Sequence, residues 1–457
     1  MGGWTQSLTA KVFGIGVLAL AMLIPLMQVQ GLVSERQQLR ESTVTQIAQG
    51  WGGRQVLGGL LLAVPTQRLV GTTEDKTPKV ERSTEMVLAD SMTIDATMAV
   101  HTRRYGIYGA PVYAATIQVN GRFLPEDMAQ FQHMSTAQWQ GDKAELRLLL
   151  SDLRGLQEVT ELKINGRPSR FASSADRVGG LSSVVVPIDL DALGHQPIEF
   201  SLKLKLAGTE SLQLLPLART TDAQIQAPWS DPSFVGALLP AERKVDAQGF
   251  HARWHMLDLN RSYGQHWDDK SEVSHSELPT SAFGVELYQP ADVYQRNERA
   301  GKYGLLFIAL TFVAFFLIEV LQRLRVHPLQ YLLVGAALAT FYVLLLALSE
   351  QVGFGWAYAV AAASVVLIVG GYAMAVLHAR RAGLLLGAAL ALVYAVLYGL
   401  IVAEQYALLI GAVVLLFAVA LMMYLTRRID WYAYTPMTTA PAATPATSAD
   451  AANIGRS

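Results

Sequence analysis

Three carboxylates stand in or beside long apolar runs, and they are the first residues here that could do chemistry. Glu319 lies near the end of one run, Glu350 in a turn between two others, and Glu404 in a later turn. An ionised carboxylate at mid-bilayer costs about 2.5–3.5 kcal/mol on insertion scales, so a deep one marks an ion or proton pathway. These three sit at run ends instead. Glu319 has Arg323 four residues on, at salt-bridge spacing along a helix. Glu350 and Glu404 occupy turns that water reaches. Anchoring at the membrane interface is the plainer account of all three; a small transporter or channel using Glu319, Glu350 and Glu404 is the competing one.

Elsewhere the polar groupings point to structure. Ser151-Asp152-Leu153-Arg154-Gly155 is compact and polar, and reads as a turn after a strand, pinned by Asp152 and Arg154. In Phe250-His251-Ala252-Arg253-Trp254-His255 the two histidines and Arg253 share one face of a strand and the apolar residues share the other. Two histidines could share a metal, but His266, Asp268 and Asp269 supply no third ligand at diagnostic spacing, and a solvated strand face has the same pattern. No Gly-x-Ser-x-Gly elbow, phosphate loop, His-Glu-x-x-His or dinucleotide glycine motif occurs. With no cysteine, thiolate chemistry and disulfides are excluded. The expectation is a protein without catalytic residues, cofactor or metal, and not an enzyme.

The elements that must carry these residues are dictated by hydropathy. A bilayer core needs roughly 20 consecutive apolar residues per helix. Six stretches qualify: 12–33, 303–320, 329–348, 356–377, 384–402 and 407–425. In lipid their backbone polar groups must pair internally, so each is expected to be helical. The first follows Lys11 like a signal peptide. No small-x-small cleavage site follows it, and the chain runs into Glu35 and Arg36, so it reads as an uncleaved signal anchor. Arg323 and Arg325, Arg380 and Arg381, and Arg427 and Arg428 fall on alternate connections, which the positive-inside tendency assigns to the cytoplasm. Arg296, Arg299 and Lys302 pull the other way beside the second span, but long translocated domains tolerate such charge. The expected layout is a cytoplasmic N-terminus (1–11), a transmembrane anchor (12–33), a periplasmic β-rich domain (34–302), a five-helix membrane region (303–425) and a disordered cytoplasmic tail (426–457). Both termini are then cytoplasmic. The tail is rich in Pro, Ala, Thr and Ser.

Within the large middle segment, residues 34–49 read as a short helix leaving the membrane. Beyond them the pattern has the period of strands. Ile198, Phe200, Leu202, Leu204 and Leu206 alternate with Glu199, Ser201, Lys203 and Lys205, giving one buried and one wet face. Further strands are expected at 60–64, 114–119, 145–150, 161–164, 183–188, 249–255 and 283–288, separated by turns such as Asn120-Gly121, Asn165-Gly166 and Asp231-Pro232. Together they predict an all-β or β-rich, sandwich-like domain attached to a membrane bundle of about six helices. Glu350-Gln351 and Glu404-Gln405 mark two similar hairpins, each followed by paired arginines, a weak sign of internal duplication.

Of 457 residues, 52% are hydrophobic and 16% charged, and the net charge is -1, so no pull toward nucleic acid is expected. The sequence resembles the inner-membrane protein CreD family of Gram-negative bacteria over nearly its whole length. The resemblance rests on Val33-Ser34-Glu35-Arg36, Arg104-Tyr105-Gly106-Ile107-Tyr108, Ser151-Asp152-Leu153-Arg154-Gly155 and Trp229-Ser230-Asp231-Pro232-Ser233-Phe234-Val235-Gly236. It continues through Leu239-Pro240, Gly249-Phe250-His251-Ala252-Arg253-Trp254, His327-Pro328-Leu329-Gln330-Tyr331, residues 341–350 and Leu425-Thr426-Arg427-Arg428-Ile429-Asp430-Trp431-Tyr432. It is weakest at 125–142, 167–180 and after Thr435. It implies a cytoplasmic-membrane protein with a periplasmic domain, linked to a two-component regulon and to envelope integrity or β-lactam response, and it implies no catalytic or ligand residues. The expected partners are the lipid bilayer and a periplasmic envelope component or protein.

Overall fold

A computed structural model describes residues 8–72, 78–135, 137–271, 273, 277–287, 293–321, 326–376, 380–403 and 406–427. Glu404, Arg323, Arg325, Arg428 and the tail from 428 lie outside them. The chain divides into two compact units. One comprises Gln37–Pro290, the other Met1–Arg36 with Ala291–Ser457.

Helices α1 (Leu8–Ala21) and α2 (Leu23–Trp51) open the chain. The break at Met22 has a local cause: Pro25 lacks the N–H that would continue the ladder across it. The segment at 34–49, expected as a separate short helix, continues α2 to Trp51.

The strands of the first unit are β1 (Gln55–Thr72), β2 (Pro78–Val87), β3 (Ala89–Tyr105), β4 (Tyr108–Phe123), β5 (Gln138–Trp139), β6 (Ala144–Leu150), β7 (Leu156–Ile164), β8 (Arg167–Pro168) and β9 (Ala172–Val178). They continue with β10 (Leu181–Ile188), β11 (Ile198–Thr209), β12 (Ser211–Leu215), β13 (Ala218–Ala227), β14 (Pro232–Gly236), β15 (Glu242–Asp246), β16 (Gly249–Leu257), β17 (His266–Asp268) and β18 (Phe283–Leu287). Three short helices interrupt them: α3 (Pro125–Met134), α4 (Leu190–Leu193) and α5 (Leu278–Thr280).

The strands form two mixed sheets. A ten-stranded sheet runs β14-β18-β12-β1-β6-β10-β9, with β2 and β5 paired to β1 and β17 paired to β2; an eight-stranded sheet runs β15-β16-β13-β3-β4-β11-β7-β8. Residues of both sheets contribute to one apolar core. Register keeps the inward faces in step: Leu202 lies opposite Val119 and Leu204 opposite Ile117, all fully buried. Each such leucine contributes about 1.5–3 kcal/mol by leaving water. The strand stretches expected from the sequence fall in β1, β4, β6, β7, β10, β11, β16 and β18. Strand β3 escaped that reading, although Met92, Ile94, Ala96 and Met98 alternate with Thr93, Asp95, Thr97 and Ala99 as cleanly as β11 does.

The second unit is helical. Its later helices are α6 (Val293–Leu321), α7 (Pro328–Val352), α8 (Phe354–Val376), α9 (Arg380–Val402) and α10 (Ala407–Thr426). Among the described residues, five helices are long and apolar enough to cross a bilayer, and the sixth, α10, has a shorter apolar run, Leu408–Tyr424. Contacts link α1 with α6 and α7, and run α6 to α7, α7 to α8, α8 to α9 and α9 back to α6. A small residue lets α8 and α9 approach closely: a Cβ on Gly383 would lie 2.1 Å from the Cγ of Met374 and 2.7 Å from its backbone nitrogen. Gly370 faces Gly387 of α9, a Cβ there lying 3.6 Å from its Cα, while a Cβ on Gly371 would meet nothing within 4 Å. An aromatic cluster of Phe341, Tyr358 and Tyr394 joins α7, α8 and α9.

Candidate functional site

The carboxylates sit in two polar layers of the helical unit. Glu319, 4% exposed, is at the end of α6. It accepts from the backbone N–H of Val326 at 2.9 Å and the Tyr331 hydroxyl at 2.8 Å, and it pairs with Lys11 of α1. Lys11 also donates to the Val326 carbonyl at 3.0 Å. Phe312 and Phe315 meet the Tyr331 ring edge-on. One carboxylate therefore ties α1, α6 and the start of α7 together, and its cation among the described residues is Lys11.

A matching layer lies at the other ends of the same helices. Glu350, near the end of α7, accepts from the Tyr294 hydroxyl at 3.0 Å and lies 3.8 Å from Arg36 of α2. Beside it the buried Asn297 amide donates to the buried Ser349 hydroxyl at 2.9 Å. At 1.5 Å per residue, Lys11 and Arg36 are roughly 38 Å apart along the helix, and Tyr331 and Glu350 roughly 29 Å. Those lengths bracket the ~30 Å hydrocarbon core. Three hydroxyls between the layers donate to helix carbonyls: Thr340 to Ala336 at 2.9 Å, Ser364 to Val360 at 2.8 Å, and Tyr358 across to Tyr394 of α9 at 2.6 Å.

In the β unit, Asp152 and Arg154 form a latch where α2 hands the chain to β1. Asp152 accepts from the Gly53 N–H at 3.1 Å and from the Arg154 side chain at 2.9 Å through both carboxylate oxygens. Hydrogen bonding by Arg154 is the main cause that holds the Asp152 carboxyl below its ordinary value; partial burial opposes it and the Gly53 and Arg154 N–H groups add to it. Fully buried Gln55 donates to the carbonyls of Asp152 and Ala207, both at 3.1 Å, and the Ser151 hydroxyl accepts from the Val56 N–H at 2.9 Å. Gly52 is required there: its φ is +121°, and a Cβ would lie 2.7 Å from the Ala207 oxygen.

On β16, Phe250, Ala252, Trp254 and Met256 are buried and His251, Arg253 and His255 face outward. His255 Nδ1 lies 2.7 Å from Asp222. Arg253 donates to Gln224 at 3.3 Å and lies 3.8 Å from Glu242. With Asp95 these residues line an open hollow of about 330 Å³ on the outer face of the eight-stranded sheet. Among the described residues no three His, Asp or Glu side chains gather as a metal site. Trp229-to-Gly236 and Gly249-to-Trp254, separate in sequence, meet where Phe234 packs edge-on against Phe250 and Trp254.

Several of these partners escape sequence reasoning. Lys11 reads as the flank of a signal segment, and Arg36, Tyr294, Tyr331 and Gln55 carry no motif. Nor does the buried Glu85, which pairs with His266 and accepts from Ser135 at 2.8 Å. Burial alone would raise the Glu85 carboxyl, but hydrogen bonds from His266 and Ser135 outweigh it and hold it low.

A bundle of apolar helices joined to a two-sheet β unit defines a multi-pass membrane protein with a large polar-faced domain. The sequence profile of the family described as inner membrane protein CreD matches residues 7–432. The inner membrane protein CreD of Escherichia coli (strain K12) is 33% identical over 418 residues, which cover 91% of this chain and 92% of that one. The chain belongs to the inner membrane protein CreD family. Among solved structures, native yeast LTA4 hydrolase aligns with 36% of this chain and 26% of its own at 14% identity and a TM-score of 0.18, too slight a likeness to carry an argument.

Proposed function

We propose that this protein is a non-enzymatic envelope protein: its β domain, on the periplasmic side, binds or senses an envelope component, and its helices anchor it or relay that event in support of envelope integrity. The observation that carries the reading is the outward face of the eight-stranded sheet, where Asp95, Asp222, Gln224, Glu242, Arg253 and His255 surround an open hollow with both signs of charge. Such a face suits polar recognition more than chemistry, because Arg253 is paired with Glu242 and His255 with Asp222. The periplasmic placement, with both termini cytoplasmic, rests on the arginines at the start of α9 and the end of α10. The CreD relationship supports the same setting.

Photocrosslinking in intact cells tests this, with a photoreactive residue at Lys203 or Arg253. Specific capture of a cell-wall fragment or envelope protein is expected from Arg253 and more weakly from Lys203. Capture of bulk lipid alone from both positions would refute it. The transporter reading draws on Glu319, Glu350 and Glu404 and makes a different prediction: alanine at Glu350 would abolish function without loosening the bundle. The ties of Glu350 to Tyr294 and Arg36 favour the anchoring role, in which the same change lowers stability.

A further inference from the structure

The β3–β4 hairpin overhangs the β domain at the end from which both connections to the membrane helices leave. The incoming chain is fixed there by Thr209, which donates through Oγ1 to the Gly52 carbonyl at 2.7 Å and through its N–H to Gly53 at 3.1 Å. The outgoing strand β18 finishes beside it, with the Leu287 N–H donating to Glu210 at 2.7 Å. Arg54 bridges the two connections, 3.0 Å from Glu210 and 3.3 Å from Glu286. At this same level β11 ends, with Thr209 opposite Val112. Strands β3 and β4 continue past it, paired as far as Tyr105 opposite Tyr108. Beyond Pro111, which still accepts from the Glu210 N–H at 3.0 Å, three more residue pairs project roughly 10 Å at a strand's rise per residue.

The tip carries the residues that suit a lipid surface. Tyr105 is 67% and Ile107 50% exposed. Arg103 and Arg104 are exposed beside them, His101 follows, and residues 101–108 contain no acidic side chain. Arg103 lies 4.1 Å over the ring of Trp51, the last residue of α2, which fixes the root of the hairpin to the helix that arrives from the membrane. Tyrosine favours the headgroup level and arginine attracts anionic headgroups. Leu69 and Val70, also exposed, lie at the far end of β1 from Gln55.

We infer that Arg104, Tyr105 and Ile107 form a membrane-docking tip that seats in anionic phospholipid headgroups of the leaflet nearest the domain, with Arg103 holding the hairpin against Trp51. A third attachment of this kind, beside the two covalent ones, restricts the tilt of the domain on its tethers.

Because the chain has no cysteine, a single spin label reports cleanly. The full chain carrying Ile107→Cys or Leu69→Cys is labelled and placed in nanodiscs of phosphatidylcholine with or without phosphatidylglycerol. Collision with oxygen is compared with collision with a water-soluble nickel chelate. At Ile107→Cys the oxygen-to-nickel ratio is expected to exceed that at Leu69→Cys severalfold with phosphatidylglycerol present, to fall without it, and to fall when Arg104→Glu is added. A water-like ratio at Ile107→Cys in both lipids overturns the inference. Equal immersion in both lipids overturns the assignment to anionic headgroups.

Discussion

Glu319 illustrates how an expensive charge becomes structural. Its carboxylate meets Lys11, the Tyr331 hydroxyl and the Val326 N–H, so removing it strands a cation and two donors together. Glu319→Ala is expected to cost about 3–5 kcal/mol, the range for breaking a buried pair by removing one partner. Tyr331→Phe deletes one hydrogen bond and should cost about 1 kcal/mol. Unfolding in detergent by denaturant measures both, and equal losses would contradict the central place of the carboxylate. In the β domain, Asp152→Ala loses the Gly53 anchor and should cost about 1–3 kcal/mol, whereas Arg154→Ala removes a 61% exposed partner and should cost clearly less. Acid makes a further prediction. Glu85 and Asp152 have lowered pKa values in the fold, against ordinary values of 4.5 and 3.8. Their contribution is complete above those ordinary values and is lost as pH falls through the folded ones. Glu85→Gln should therefore flatten part of the loss of stability below pH 4.5, read from denaturation midpoints at successive pH values.

Helix packing turns on which glycine is crowded. A Cβ at Gly370 would make ordinary contacts, the nearest at 3.6 Å, while one at Gly383 would fall 2.1 Å from the Met374 Cγ and 2.7 Å from its backbone nitrogen. Gly383→Ala must push α8 and α9 apart, and Gly370→Ala need not. The expected result is a clear drop in melting temperature for Gly383→Ala and little change for Gly370→Ala in the detergent-solubilised protein. The strands obey a simpler rule. Where one face is wet, as in β11 and β16, the alternation is visible in the sequence; in β1 the run Leu60-Leu61-Leu62 is buried on both sides and its period disappears.

Across the whole chain, the two polar layers and the arginines of α9 and α10 make one prediction about sidedness. A membrane-impermeant maleimide added to intact cells should label Lys203→Cys, on the outer face of β11, and should spare Arg381→Cys until the membrane is opened. The opposite pattern would invert the proposed topology and place the β domain in the cytoplasm. The two hairpins suspected of duplication also differ in setting: α7 is built into the layered bundle through Tyr331 and Glu350, whereas α10 leaves most of its apolar side chains exposed.

The apolar runs of the membrane helices and the alternation of β11 and β16 were legible in sequence, because they depend on composition and short-range period, which the solvent imposes locally. Membership of the CreD family was legible in a different way, through the resemblance of particular stretches such as Ser151-to-Gly155 and Trp229-to-Gly236. The turn at Asp152 and Arg154 was legible as a turn but not as the fastening of α2 to β1, because its partners Gly53 and Gln55 lie far away along the chain. The same holds for Glu319. Its place at a helix end followed from hydropathy, but its pairing with Lys11, 308 residues away, did not. Sequence by itself determined which segments enter lipid and which form strands, since burial of apolar surface acts on each segment where it stands. Only the tertiary structure decided which charges meet, which strands neighbour one another and which hairpin overhangs the tethered end, because those depend on long-range pairings whose loop-closure cost leaves no local mark.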